Sequence, residues 1–180
     1  MRHIITYASP NLHKSLVGDS EGGGIQESTT RTSKNTWMNR GHSLISETLA
    51  RRAADLLQVD EVLLTTHENA EDLQVVHYDV GQKYDAHHDW GTNGYAESRF
   101  ITLLFYLTDM AHAEAGGETA FPKAANGRGI KVHPGKGSAV LFYNLLEDGN
   151  ADDLALHEAC PVKVGEKWLA NYWVWDPSRK

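Results

Sequence analysis

The chain has one cysteine, Cys160, among 180 residues. One thiol cannot close an internal disulfide or build a multi-cysteine zinc site, and it declares no oxidising compartment. Long apolar runs are missing too. The most apolar stretch, residues 100–107, is interrupted by Thr102, whereas a bilayer-spanning helix needs about 20 apolar residues. No run of adjacent Lys and Arg is longer than a pair, and 17 basic against 24 acidic residues give a formal net charge of −7. Nucleic acid would therefore meet an unfavourable overall field. The opening MRHIITYASP has no long apolar core and no small-residue cleavage site, so no secretory leader is expected in the sequence as written.

What is present is globular. A hydrophobic fraction of 41% with 23% charged residues excludes a low-complexity disordered or collagen-like chain. The length suits a single domain over residues 1–180. Residues 18–28 (GDSEGGGIQES) read as a mobile loop. Residues 43–57 (SLISETLARRAADLL) read as an amphipathic helix, because Ile45, Leu49, Ala53, Leu56 and Leu57 recur one turn apart and Leu44 flanks the stripe. Ser43 can cap it, and Glu47 near its start suits the helix dipole. After residue 72 the pattern changes to short runs, at 73–78, 100–107, 130–133, 138–143, 157–162 and 168–175, most rich in β-branched or aromatic residues and punctuated by Gly, Pro, Asn and Asp. Short strands with turns between them predict an all-β barrel or sandwich with the helix packed outside.

Ten histidines are many for this size. His87, His88 and Asp89 stand together in YDAHHDW. On a strand, His87 and Asp89 share one face and His88 takes the other. Two imidazoles and a carboxylate on one face of a metal leave its other positions open for a cosubstrate and oxygen. A third ligand must come from elsewhere, and His157 at the head of a predicted strand is a candidate. Taken alone, His-x-Asp is a common surface spacing and establishes no metal. Beyond His157, KVGE (163–166) separates two apolar stretches, which predicts a hairpin that carries Lys167 back towards the site. A lysine facing inward there would need an anion, which a metal-bound dicarboxylate supplies. An isolated lysine at a turn end is otherwise simply solvated.

Several longer segments carry a family resemblance: RTSKNTW (31–37), LQVVHYDVGQKYDAHHDW (73–90), RFITLLFYLTD (99–109), GGETAFP (116–122) and GKGSAVLFYNLLEDGNADDLALHEACPVKVGEKWLANYW (135–173). In this order they resemble the catalytic domain of prolyl 4-hydroxylases, the iron(II)- and 2-oxoglutarate-dependent dioxygenases of the collagen and plant type. The resemblance implies a mainly β fold with flanking α-helices, a double-stranded β-helix or jelly roll. It implies peptidyl-proline 4-hydroxylation with Fe(II), 2-oxoglutarate and O2, giving 4-hydroxyproline, succinate and CO2, with ascorbate as a further cofactor. It makes His87, Asp89 and His157 the metal ligands. It places Lys167, Tyr78 and Thr119 on the cosubstrate, and Tyr84, Arg99, Trp173 and Glu71 along a groove for a proline-containing peptide. The Gly-rich composition of residues 18–28, with the match of RTSKNTW to a family segment near that groove, predicts a mobile lid over it from residues 18–28 and 30–34.

The sequence departs from the family at some points. By the resemblance it is expected to lack the family's leading strand and part of the first helix, with RHIITYASPNLHKSLVGD matching the end of that helix and the segment after it. The linker from Trp90 to Arg99 is short, and Trp175 stands where plant-type relatives have histidine. By resemblance the compartment would be the endoplasmic reticulum or Golgi of a eukaryote, with the cytoplasm as alternative. Two competing readings are the same iron chemistry on another protein side chain or a small molecule, and a jelly-roll binding module with structural His and Asp residues.

Overall fold

The structure, a computed structural model, describes residues 1–18, 25–65, 69–90 and 99–175. Helix α1 (Arg2–Ala8) runs into a short 3-10 turn, Ser9–Asn11. Strands β1 (His13–Lys14), β2 (Val17–Gly18), β3 (Ile25–Gln26) and β4 (Lys34–Met38) come next, then helices α2 (Leu44–Leu57) and α3 (Glu61–Thr65). The later elements are strands, apart from a 3-10 turn at Asp153–Ala155: β5 (Leu73–Tyr78), β6 (Tyr84–His87), β7 (Arg99–Tyr106), β8 (Thr119–Phe121), β9 (Ile130–Val132), β10 (Ala139–Tyr143), β11 (His157–Ala159) and β12 (Lys167–Trp175). Among the described residues these form a six-stranded sheet in the order β1-β4-β5-β12-β7-β10, a four-stranded sheet β6-β11-β8-β9, and the pair β2-β3. From β5 onward the chain passes back and forth between the two larger sheets. This is the jelly roll that the family resemblance implies.

Alternation along the central strands explains the layering. On β12, Trp168, Ala170, Tyr172 and Val174 join a buried cluster with Ile4, Ala8, Ala50, Ala53 and Ala54, so this face of the large sheet is covered by helices. Leu169 points the other way, into a second cluster with Val76, Tyr78, Leu104, Tyr106, Ala159 and Val162. That second face looks at the smaller sheet, and the polar residues of interest lie on it. Helix α2 begins as expected. The Ser43 hydroxyl accepts from Ser46 N–H (3.3 Å), and Ser46 Oγ accepts from Ser43 N–H (2.9 Å). The buried seam is shifted from the expected stripe, however. Ala50, Ala53 and Ala54 face the sheet, while Ile45 and Leu56 remain 45% and 61% exposed. Small side chains let the helix lie close against the sheet, Leu49 and Leu57 pack at the edge of the cluster, and Leu44 and Leu56 are left outside.

Two expectations need correction. The KVGE segment does not close a hairpin: β11 pairs with β6 and β8, whereas β12 pairs with β5 and β7. Residues 160–166 therefore cross from one sheet to the other. Lys163 and Val164 N–H both donate to the Ala115 carbonyl on the way (2.8 and 3.1 Å). Gly116 allows this crossing. At φ +77° a Cβ there would meet the Pro161 carbonyl at 2.2 Å. The second correction concerns the lid. Residues 30–34 are tied into the fold by backbone bonds, Thr32 N–H to Lys83 O (3.0 Å) and Asp85 N–H to Thr30 O (2.8 Å), and Lys34 begins β4. Of residues 18–28, positions 19–24 lie outside the described residues, as does 91–98 of the linker after Trp90, and the flanks pair as β2 and β3.

Candidate metal centre

Antiparallel pairing brings the two predicted histidines together. His157 on β11 is the direct cross-strand partner of His87 on β6, and their ring centroids lie 4.3 Å apart. Each Nδ1 faces a backbone carbonyl, Asp85 O for His87 (2.8 Å) and Ala155 O for His157 (2.9 Å). A carbonyl only accepts, so Nδ1 carries a proton and Nε2 is the nitrogen that can offer a lone pair to a metal. Burial, then the neighbouring His157, pushes the His87 imidazole down to about 3, which keeps it neutral near neutral pH.

Asp89 completes the set, although β6 ends at His87 and Asp89 stands on a bend. Its Oδ1 is 3.6 Å from His87 Nε2, and its Oδ2 is 3.7 Å from His157 Nε2. One donor atom from each residue lies within 4.8 Å of the other two. Both hydrogen bonds to the carboxylate fall on Oδ2, from the Thr102 hydroxyl (2.9 Å) and the Trp173 indole N–H (2.9 Å). Burial alone would raise the Asp89 carboxyl, but His157, His87, Arg99 and the Trp173 N–H together hold it below the usual carboxylate range. Two imidazoles whose Nε2 atoms converge and one carboxylate, each with its far side already hydrogen-bonded, suit a divalent first-row metal with open positions.

On the same face of β12 as Trp173, the residue that binds Asp89, lies one buried cation. Lys167 is fully buried, and its Nζ has no hydrogen-bond partner among the described residues. It faces the rings of Tyr78 and Tyr106, at 5.4 and 5.7 Å. Tyr78 is its direct partner across β5 and β12, and the Tyr106 hydroxyl donates to Thr119 Oγ1 (2.7 Å). Desolvation lowers the Lys167 ammonium to about 7, against small raising effects of Cys160 and Glu118, while burial pushes both tyrosines up to about 12. A buried ammonium without an anion is unstable by itself, so this pocket calls for an anionic ligand. A ligand carrying a carboxylate meets that need.

Of the residues expected in the groove, Tyr84 and Trp173 contact the ligand set directly. Tyr84 stacks on His87 at 3.6 Å between centroids, and the Arg31 guanidinium covers its ring at 4.7 Å. Arg99 and Glu71 are bound to each other by two hydrogen bonds (2.6 and 2.9 Å), and the Arg99 guanidinium lies 3.6 Å over the Trp173 ring. The Trp173 indole is only 4% exposed and is committed to Asp89. Sequence reasoning missed Tyr106, Thr102 and Arg31. The alternation on β7 offered a signal for the first two, since Thr102 and Tyr106 share a strand face.

His88 faces away, with Nε2 3.8 Å from Asp153 Oδ1. His88→Ala should therefore leave metal affinity within about twofold of the parent, the scale of a surface substitution worth roughly 0.5 kcal/mol, whereas His87→Ala should abolish it. Isothermal titration of both variants reads the difference, and equal damage would show that His88 serves the centre.

Comparison with known proteins places this geometry. Residues 73–175 match the model of the 2OG-Fe(II) oxygenase superfamily. Prolyl 4-hydroxylase 5 of Arabidopsis thaliana is 36% identical over 95% of this chain, and the chain spans 62% of that relative's length. Among solved structures, the viral collagen prolyl hydroxylase of Paramecium Bursaria Chlorella virus-1, as its 2OG complex, superposes with a TM-score of 0.73 at 26% identity, covering 97% of this chain and 88% of that one. The prolyl hydroxylase of Trichoplax adhaerens, in complex with a hypoxia inducible factor peptide fragment, shares the fold with a TM-score of 0.71 at 17% identity, over 98% of this chain and 76% of that one.

Proposed function

The chain belongs to the 2OG-Fe(II) oxygenase superfamily, and from that membership we propose that it hydroxylates proline in peptides, at C4, with consumption of 2-oxoglutarate and O2. The observation that carries the reading is the buried, unpartnered Lys167 ammonium on the inner face of β12, the face from which Trp173 binds Asp89 of the His87, Asp89 and His157 cluster. A jelly roll used only for binding has no reason to keep a dry cation on the same inner face as three convergent metal-ligand side chains. The names of the similar proteins supply the substrate class, a proline-containing peptide.

In this reading His87 Nε2, His157 Nε2 and the Asp89 carboxylate hold Fe(II). Bound there, iron with 2-oxoglutarate and O2 supplies the oxidising chemistry that inserts one oxygen into a C–H bond and releases succinate and CO2. The protein's own work is placement. Lys167 binds the distal carboxylate of 2-oxoglutarate, and the buried Tyr78, Tyr106 and Thr119 close that end against water. Thr102 and Trp173 fix the rotamer of Asp89. Tyr84, the Arg99–Glu71 pair and the Trp173 edge border the path of an extended peptide, whose polyproline conformation has little entropy left to lose.

The test is turnover of proline-rich peptides with Fe(II) and 2-oxoglutarate, read by mass spectrometry. The expected result is gain of a single oxygen atom at proline together with succinate. Consumption of 2-oxoglutarate with free amino acids but with no peptide would move the substrate to a small molecule.

A further inference from the structure

Asp89 and His157 are far apart in sequence, yet one buried residue is joined to both. Asn144 directly succeeds β10 and is fully buried. Its Nδ2 lies 2.9 Å from Thr102 Oγ1, which lies 2.9 Å from Asp89 Oδ2. The polarity of this chain is fixed from the amide end. Asn144 Nδ2 only donates, so Thr102 Oγ1 accepts from it and the single Thr102 proton goes on to Asp89 Oδ2. The Asn144 Oδ1 is left buried without a partner among the described residues, which shows that the amide is not oriented by its own oxygen.

The backbone of the same residue leads to the other ligand. Asn144 N–H donates to Phe100 O (2.8 Å), and Asn144 O accepts from Asp152 N–H (2.9 Å). Asp152 caps the 3-10 turn Asp153–Ala155, its Oδ1 accepting from Leu154 N–H (2.8 Å). The last carbonyl of that turn, Ala155 O, accepts from His157 Nδ1 (2.9 Å) and so sets the ring. One arm of Asn144 thus orients Asp89 through Thr102, and the other anchors the turn that orients His157.

We propose that Asn144, acting through Thr102, is a positioning residue that couples the placement of Asp89 and His157 and holds both in metal-binding geometry. The inference rests on the metal reading above. Asn144 touches neither metal nor substrate. Its role is to keep the Thr102 proton on Asp89 Oδ2, which leaves Oδ1 to the metal.

The test uses Co(II) as a spectroscopic probe in the absence of cosubstrate. Affinity and the ligand-field spectrum are recorded for the parent, Thr102→Val, Thr102→Ser and Asn144→Asp, with near-ultraviolet circular dichroism as a check on fold. Asn144→Asp preserves size but accepts where Asn144 donated, so it draws the Thr102 proton away from Asp89. Both Asn144→Asp and Thr102→Val should weaken Co(II) binding about 10–100-fold and alter the spectrum, while Thr102→Ser, which keeps the hydroxyl, should restore both. Folded Thr102→Val with parental affinity and spectrum overturns the proposal, even where Asn144→Asp fails to fold. A parent that binds no Co(II) removes the metal reading, and the proposal with it.

Discussion

Asp89→Ala is expected to abolish metal-dependent turnover and to weaken metal binding by more than the roughly 10–100-fold that accompanies loss of a ligand's hydrogen-bonding partner. The reason is charge as much as geometry. His87 and His157 present neutral nitrogen donors, so Asp89 is the anion that offsets the charge of a divalent cation in a dry site. Stability should fall too. Without Asp89, the Trp173 N–H and the Thr102 hydroxyl lose their acceptor while buried, at about 1–3 kcal/mol for each unsatisfied donor. The metal-free parent should lose stability as the pH falls from about 6.5 towards 3. In that window the unfolded chain protonates His87 while the fold keeps it neutral. The depressed Asp89 carboxyl adds a loss below the ordinary carboxylate range, with the same sign, and Asp89→Ala should lack that portion. Co(II) titration of folded Asp89→Ala is decisive, because binding within tenfold of the parent would mean that Asp89 is not a ligand.

The parts of this centre that were legible in the sequence depend on local chain geometry. His87 and Asp89 alternate with His88, and that parity survives although the strand stops at His87. Repeated short runs with turn residues between them gave the sandwich. The rest depends on which strands become neighbours, and spacing does not encode that. KVGE has the length and composition of a hairpin turn, yet β11 finds its partners in the other sheet. Lys167 still points to the inner face of the large sheet, but β5 and β7 place it there and not a ribbon with β11. Thr102 and Asn144 looked like an interruption in one apolar strand and the end of another. Their role exists only because β7 and β10 pair in register, Phe142 opposite Thr102, with Asn144 just beyond. Trp173, Arg99 and Glu71 were singled out by family resemblance alone, and the structure shows these three engaged with Asp89 and with one another.

Lys167→Met is expected to stabilise the ligand-free protein and to remove most of its affinity for 2-oxoglutarate. Burial takes the Lys167 ammonium from 10.5 to about 7. The folded state therefore gives up a proton that the unfolded chain retains between those values, so this lysine destabilises the fold fully at and below pH 7 and progressively less as the pH rises to 10.5. A shift of this size corresponds to roughly 5 kcal/mol. A methionine of similar shape recovers part of it, and a gain of about 2 kcal/mol would raise Tm by roughly 4–8 °C for a chain of this size. The gain should shrink as the melt is repeated towards pH 10.5. Binding moves the opposite way. Removing one partner of a buried charge pair costs about 3–5 kcal/mol, two to three or more orders of magnitude in affinity. Metal affinity should change far less, since the proposed role of Lys167 is to bind the cosubstrate and it is not one of the three convergent ligands. Lys167→Arg should rescue only partly. The stem is already enclosed, with the Cβ position at Gly117 3.4 Å from Lys167 Cδ, and a planar fork needs more room than an ammonium. In the parent, 2-oxoglutarate should bind with uptake of a proton above pH 7, because the arriving carboxylate restores the ammonium. Calorimetry in buffers of different ionisation enthalpy measures that uptake. Unchanged 2-oxoglutarate affinity in Lys167→Met would move the cosubstrate to another cation, and Arg99, already held by Glu71, would then be the first to substitute.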